Sequence, residues 1–178
     1  MQRSELAAAI RATALLQGQF QLRSGGVSAF YWDKYRFESD PRLLWAISQH
    51  LLPLLPAAFD RLAGLELGGI PLATALSLAS GRPALYVRKT AKTYGTCNLV
   101  EGGYASGETV VVIEDVITSG GQVCASVQQM RDLGLVVPYV LCVIDREQGG
   151  RAAIEALGCS CTALFTQTEL DSLASSPT

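Results

Sequence analysis

The chain has 178 residues, enough for one ordinary domain and short for two. Hydrophobic residues make up 49% and charged residues 17%, and 14 basic against 16 acidic side chains leave a net charge of −2. That balance excludes a disordered chain and provides no basic footprint for nucleic acid. The basic side chains are eleven Arg and only three Lys, and two of those lysines, Lys89 and Lys92, sit beside Arg88. The first segment, MQRSELAAAIRATALL, carries Glu5 and lacks a long apolar core before a small-residue cleavage site, so it reads as a helix over 4–16 and not as a signal peptide. Residues 19–32 alternate like strands around Ser24-Gly25-Gly26. Asp40 as N-cap and Pro41 at the first position open a helix that runs to Leu55, where Pro53 and Pro56 end it. A short strand over 62–67 turns at Gly68-Gly69 into a helix at Ile70-Pro71, and 84–87 is the next strand.

Residues 88–107 form a long, Gly-rich polar stretch without a period, the kind of loop that serves as a lid. The β-branched run at 109–113 suits a strand buried on both faces. A helix over 122–133 with Gly134 after it, a buried strand over 136–144, a helix over 149–157 closed by Gly158, and a strand over 161–165 complete the pattern. The tail from 171 is expected to fray. One α/β domain around a mostly parallel sheet follows, comprising residues 1–178. No apolar run reaches the ~20 residues of a membrane span. The cysteines (Cys97, Cys124, Cys142, Cys159 and Cys161) are odd in number and scattered, and the Cys159/Cys161 pair alone is weak support for a metal. Reduced cysteines and a cytoplasmic location are expected.

The strand at 109–113 runs into Glu114-Asp115-Val116-Ile117-Thr118-Ser119-Gly120-Gly121. Two carboxylates at the end of a buried strand do not serve packing, because unpaired buried charge is costly. The Thr-Ser-Gly-Gly turn leaves backbone N–H groups and two hydroxyls at a helix N-terminus, which binds a phosphate. The carboxylates upstream suit hydroxyls, as of a ribose, or a magnesium ion. Together they describe a ribose 5-phosphate site; the bland alternative is a capped helix start with solvated acids. Neither G-x-G-x-x-G nor the P-loop pattern occurs, so dinucleotide and ordinary ATP sites lose support. In the long loop, Arg88, Lys89 and Lys92 place three cations within five residues of a net-negative chain, which fits pyrophosphate. The plain alternative there is a solvated basic loop.

These segments resemble the type I phosphoribosyltransferases, whose phosphoribosyl pyrophosphate (PRPP) motif Glu114 to Gly121 follows. The loop R-K-x-x-K-x-Y-G at 88–95 is similar to the R-K-x-x-K-x-H-G loop of the orotate phosphoribosyltransferases. Further matches are Phe20-x-Leu22-x-Ser24-Gly25 with Ser28 and Tyr31, then Gly69-Ile70-Pro71-Leu72-Ala73-Thr74, and Asp145-Arg146. The resemblance spans roughly 20–146. It implies a type I phosphoribosyltransferase fold: a mostly parallel central sheet flanked by helices, a small N-terminal hood over 1–40 and a flexible catalytic loop over 88–107. The implied reaction moves ribose 5-phosphate from magnesium-bound PRPP to orotate, giving orotidine 5'-monophosphate and pyrophosphate in pyrimidine biosynthesis. Glu114 and Asp115 would hold the ribose hydroxyls, and Thr118, Ser119, Gly120 and Gly121, flanked by Val116, Ile117 and Gln122, would cradle the 5-phosphate. Arg88, Lys89, Lys92 and Tyr94 would meet pyrophosphate, with Lys92, Glu114 and Asp115 as the catalytic set. Thr118, Arg146, Arg23, Tyr31 and Trp32 would contact orotate, Arg146 as a bidentate partner of its carboxylate. Mg2+ would be held mainly through PRPP, with no protein metal site. A homodimer is implied, each 88–107 loop completing its neighbour's site, with no nucleic-acid or membrane partner.

The chain departs from the family pattern at Tyr94, where the loop His belongs, at Gly68, where many members carry Lys, and at Gly26-Val27, where a basic pair is common. Lys34, the third lysine, follows the Tyr31-Trp32-Asp33 segment expected to flank the base. His50 falls on the polar side of the helix from Arg42 and joins no Ser/His/Asp or Cys/His set. Two alternatives remain open: a phosphoribosyltransferase for another base, such as uracil or a purine, and a non-catalytic PRPP-binding regulator. Arg146 separates the first, since a neutral base gives it no carboxylate. The regulator would ordinarily add a DNA-binding segment or a basic face.

Overall fold

The computed structural model describes residues 1–21, 25–91 and 98–173. Helix α1 (Arg3–Ala14) starts one residue before the expected Ser cap, because the Glu5 carboxylate accepts from the Gln2 N–H at 2.8 Å. It ends two residues early, since Leu15 and Leu16 already belong to strand β1 (Leu15–Gln21), which pairs antiparallel with β2 (Val27–Trp32) as a small separate sheet. Helix α2 (Tyr35–Ser39) follows, then α3 (Pro41–Leu51), capped as expected by Asp40, whose side chain accepts from Arg42 and Leu43 at 2.9 and 3.3 Å.

The main sheet holds β3 (Arg61–Leu65), β4 (Ala84–Val87), β5 (Val100–Glu101), β6 (Thr109–Ile117), β7 (Val136–Asp145) and β8 (Ser160–Thr166) in the order β5-β4-β3-β6-β7-β8. All pairings are parallel except β4 with β5. Among its described residues, the expected loop at 88–107 thus contains a short strand, β5, closed onto β4 by Arg88 N–H donating to the Leu99 carbonyl at 2.9 Å. Helix α4 (Gly69–Ser80) links β3 to β4, α5 (Gly121–Asp132) links β6 to β7, and α6 (Gly150–Glu155) links β7 to β8.

Strand periodicity sorts the apolar residues onto two faces. Leu62, Val111, Ile113, Leu141 and Val143 pack under α1, α3 and α4 with Ile10, Ile47 and Leu72. Ala63, Val110, Val112, Val140 and Cys142 pack against α5 and α6 with Val127, Met130 and Ile154. Each buried Val, Leu or Ile stabilises by about 1.5–3 kcal/mol over exposure, so these two layers carry the fold.

The tail corrects the sequence expectation. Helix α7 (Gln167–Leu173) occupies part of the segment expected to fray. Glu169 accepts from the Thr166 N–H at 2.9 Å while Thr166 Oγ1 accepts from the Glu169 N–H at 3.1 Å, a reciprocal cap, and Leu170 is fully buried. Residues 174–178 lie outside the described residues.

Candidate active site

The chain enters the sheet at β3, works outward to β5, then returns to place β6 on the other side of β3. The connections leaving β3 and β6 therefore diverge, and the crevice outside their carboxyl ends is where open α/β sheets bind ligands. A cleft of about 440 Å³ lies there, lined by Lys34 and Tyr35, by Glu66 and Leu67 after β3, by Lys89 after β4, and by Glu114 and the run from Val116 to Val123 at the end of β6.

Gly120 takes φ 76°, and Gly121 opens α5 behind it. A side chain at Gly120 would stand 2.9 Å from the Gly150 carbonyl, so the turn needs glycine for both its conformation and the close approach. Thr118, Ser119, Gly121 and Gln122 are exposed at this helix start, with the positive end of the α5 dipole behind them. The structure thus brings together at one helix start the residues that the sequence groups as a phosphate cradle.

The acid pair is buried, which rules out solvated acids at a helix start. Glu114 is 8% exposed and Asp115 fully covered. Only Glu114 lines the cleft; Asp115 lies behind, under Lys34. Lys34 Nζ donates to Asp115 Oδ1 at 2.9 Å and stands 2.7 Å from Oδ2, there in ion-pair contact without hydrogen-bond alignment. Asp115 Oδ1 also accepts from the Val116 N–H at 2.5 Å. A third carboxyl, Glu38 of α2, is 6% exposed and faces Asp115 across the space over Gly68.

The charges settle accordingly. Burial pushes Glu38 up to about 9, helped by the hydrogen bond to Asp115 and by its charge, so Glu38 is neutral at neutral pH. Burial also raises Glu114 well above the carboxylate range, again with Asp115 contributing. Burial works to raise Asp115 too, but hydrogen bonds from Glu114, Glu38 and Lys34 and the Lys34 charge hold it below the ordinary value. Lys34 is raised: burial opposes its charge, but the Asp115 carboxylate outweighs that cost. Asp115 and Lys34 are thus the members of this cluster held in their charged forms, each by the other.

The other predicted residues are distributed unevenly. Lys89 lines the cleft, its N–H held by Glu66 at 3.0 Å, whereas the Arg88 guanidinium turns to Glu101 at 3.0 Å. Arg146 follows β7, its N–H donating to the Ile117 carbonyl at 2.9 Å; its guanidinium is half-buried, its Nε lacks a partner, and it does not line the cleft. Burial lowers its pKa. Tyr31 and Trp32 stay on the small sheet, Tyr31 stacked against Phe20 with ring centres 5.4 Å apart and Trp32 packed on the core under α1. Arg23, Lys92 and Tyr94 lie outside the described residues. His50 contacts the Met1 carbonyl at 3.0 Å and is no part of the cleft. Sequence reasoning missed Glu38, and it placed Lys34 beside the base and not on Asp115; neither side chain carries a motif that would reveal the contact.

An exposed helix start and a buried acid pair at the switch point of a mostly parallel sheet fit an enzyme of the phosphoribosyltransferase class. No protein-family model matches the chain. An orotate phosphoribosyltransferase from a Nocardioides species is 49% identical over 166 residues, covering 93% of both chains. The orotate phosphoribosyltransferase of Mycobacterium tuberculosis H37Rv superposes in its Fe(III) dicitrate complex with a TM-score of 0.85 at 34% identity, over 94% of this chain and 98% of that one. Its complex with PRPP gives 0.82 at 32% identity, over 95% and 98%. The chain belongs to the orotate phosphoribosyltransferase family.

Proposed function

We propose that this chain transfers ribose 5-phosphate from PRPP to orotate, yielding orotidine 5'-monophosphate and pyrophosphate. The observation that carries the reading is the meeting of Glu114 with the Thr118 to Gln122 turn in one cleft, a diol acceptor beside a phosphate cradle. The 5-phosphate sits on the N–H groups and hydroxyls of Thr118, Ser119, Gly120 and Gly121, flanked by Val116, Ile117 and Gln122. Glu114, with Asp115 behind it, takes the ribose hydroxyls. As the bond from C1 to pyrophosphate lengthens, negative charge gathers on the leaving group, and Lys89, Lys92, Arg88 and the Tyr94 hydroxyl are the groups set aside to meet it. Arg146, Arg23, Thr118, Tyr31 and Trp32 remain the base-contacting set. Orotate is anionic, which relieves the enzyme of a strong general base.

The Asp115 charge already faces Lys34. The site therefore suits Mg2+ brought in on PRPP oxygens, with no carboxylate of the chain assigned to it. When bound, Mg2+ neutralises charge on the leaving pyrophosphate. We treat residues 1–178 as one functional unit with 1–40 as hood and 88–107 as lid, acting as a homodimer in which each lid completes the neighbour's site. No described helix is long and apolar enough to cross a membrane, and the four free cysteines among the described residues fit a reducing, cytoplasmic setting.

The test follows pyrophosphate release from PRPP with magnesium and a panel of bases. Turnover with orotate supports the reading; turnover with uracil or a purine but not orotate moves it to another base, and PRPP binding without turnover makes the chain a regulator. Lys92→Ala is expected to lower kcat by at least ~10²-fold, the loss for one electrostatic donor. Arg146→Ala is expected to raise KM for orotate about tenfold or more, the worth of a charged hydrogen bond.

A further inference from the structure

Two buried oxygens beside the cleft lack a directed partner, Glu38 Oε1 and Asp115 Oδ2. Both crowd the space over Gly68, where a Cβ would collide with Asp115 and stand 2.5 Å from Glu38 Oε1. Two ionised carboxylates in such a dry place repel, whereas one shared proton satisfies both orphan oxygens. On its other side Asp115 meets Lys34, whose side chain is 31% exposed and lines the cleft. The chain of contacts thus runs from a buried acid through the fully covered Asp115 to an ammonium at the cleft wall. Glu38 and Lys34 both come from the N-terminal segment, four residues apart, and they grip the same carboxylate of β6 from two directions.

We propose that Glu38 is a positioning residue: as the neutral acid it donates its proton to Asp115, reserves the Asp115 charge for Lys34, and so holds the Lys34 ammonium at the cleft wall to meet the polyphosphate of PRPP. The inference rests on PRPP as ligand, the reading given above. The groups facing Glu38 are Asp115, Lys34 and Asp33, with Glu114 on the far side of Asp115. An ionised Glu38 would compete for the single ammonium and draw it inward. A neutral Glu38 leaves it outward.

The experiment compares wild type, Glu38→Gln, Glu38→Leu, Lys34→Met and the Glu38→Leu/Lys34→Met double variant by calorimetric titration with magnesium PRPP, alongside KM for orotate. Glu38→Gln keeps a donor and is expected to bind PRPP within about threefold of wild type. Glu38→Leu and Lys34→Met are expected to weaken PRPP about tenfold, the scale of one charged hydrogen bond, with KM for orotate unmoved. The double variant loses no more than Lys34→Met alone, because Glu38 acts only through Lys34. Equal losses for Gln and Leu, additive losses in the double variant, or unchanged PRPP binding in Glu38→Leu would overturn the proposal. Difference infrared spectra at neutral pH separate the two claims, since wild type shows a protonated-carboxyl C=O component that Glu38→Gln lacks. If wild type binds no PRPP, the reading of the ligand fails while this band still reports the shared proton; absence of the band overturns the proposal by itself. Should Glu38→Leu not fold, the band and the Gln and Met variants still decide it.

Discussion

Gly68 stands where many family members carry lysine, and its surroundings give a physical reason for the departure. A Cβ there would enter the space that Asp115 Oδ2 and Glu38 Oε1 share. The ammonium near Asp115 comes instead from Lys34, on a different element. Gly68→Ala is therefore expected to lose 1–3 kcal/mol or more, the usual cost of overpacking a tight site, read as a lower urea midpoint at unchanged slope, and to weaken PRPP binding. The raised Glu38 makes a second prediction. Between the ordinary glutamate range and about 9, the folded chain keeps a proton that the unfolded chain has released, so stability falls as pH rises, by up to about 1.4 kcal/mol per pH unit, and levels above that window. Glu38→Gln removes this dependence. Its melting temperature should gain on wild type steadily from pH 5 to pH 9, and a constant difference across that range would contradict the assignment.

At the scale of elements, what was legible in the sequence followed period and capping. The β-branched run of β6, the Asp40-Pro41 start of α3 and the Gly turn before α5 each announce themselves within a few residues. Helix α7 did not, because its cap is reciprocal between Thr166 and Glu169 and its one fully buried residue, Leu170, meets a core assembled from the other end of the chain. Glu38 was illegible for the same reason: in Tyr-Arg-Phe-Glu-Ser it looks like one more surface acid, and only the docking of α2 on β6 buries it. The close join of β3 to α4 also appears only in three dimensions. A Cβ at Gly64 would stand 2.5 Å from the Gly69 carbonyl and 2.8 Å from Ala73 Cβ, so the strand and the helix start touch backbone to backbone. Gly64→Ala should push α4 and the Glu66 to Gly68 turn off the cleft, lowering stability by about 1–3 kcal/mol and kcat with it. A variant as stable as wild type would show that this contact does not set the crevice.

Across the whole molecule, the cleft is assembled from parts distant in sequence: Lys34 from the N-terminal segment, Glu66 after β3, Lys89 after β4, and the acids and cradle after β6. The grouping at the end of β6 could be read alone, since Glu114 and the Thr118 to Gln122 turn are neighbours in sequence and line one cleft. Lys34 and Arg88 could not be placed from the sequence, because Lys34 reaches Asp115 across 81 positions and Arg88 turns away to Glu101. Arg146, Tyr31 and Trp32 stand off the cleft, and Lys92 belongs to a loop proposed to serve a neighbour, so the complete site is expected to need a second copy. This arrangement has a direct consequence for mixtures. Lys92→Ala disables the lid a subunit lends, whereas Gly120→Val, which drives a side chain into the Gly150 carbonyl, disables the cradle it keeps. Each variant alone should be inactive. In a hybrid dimer one site receives both defects and the other neither, so random mixing of equal amounts should restore roughly a quarter of wild-type turnover, half the dimers being hybrids with one intact site each. If each lid instead covers its own cradle, every site in every mixture carries one defect, and mixing restores nothing.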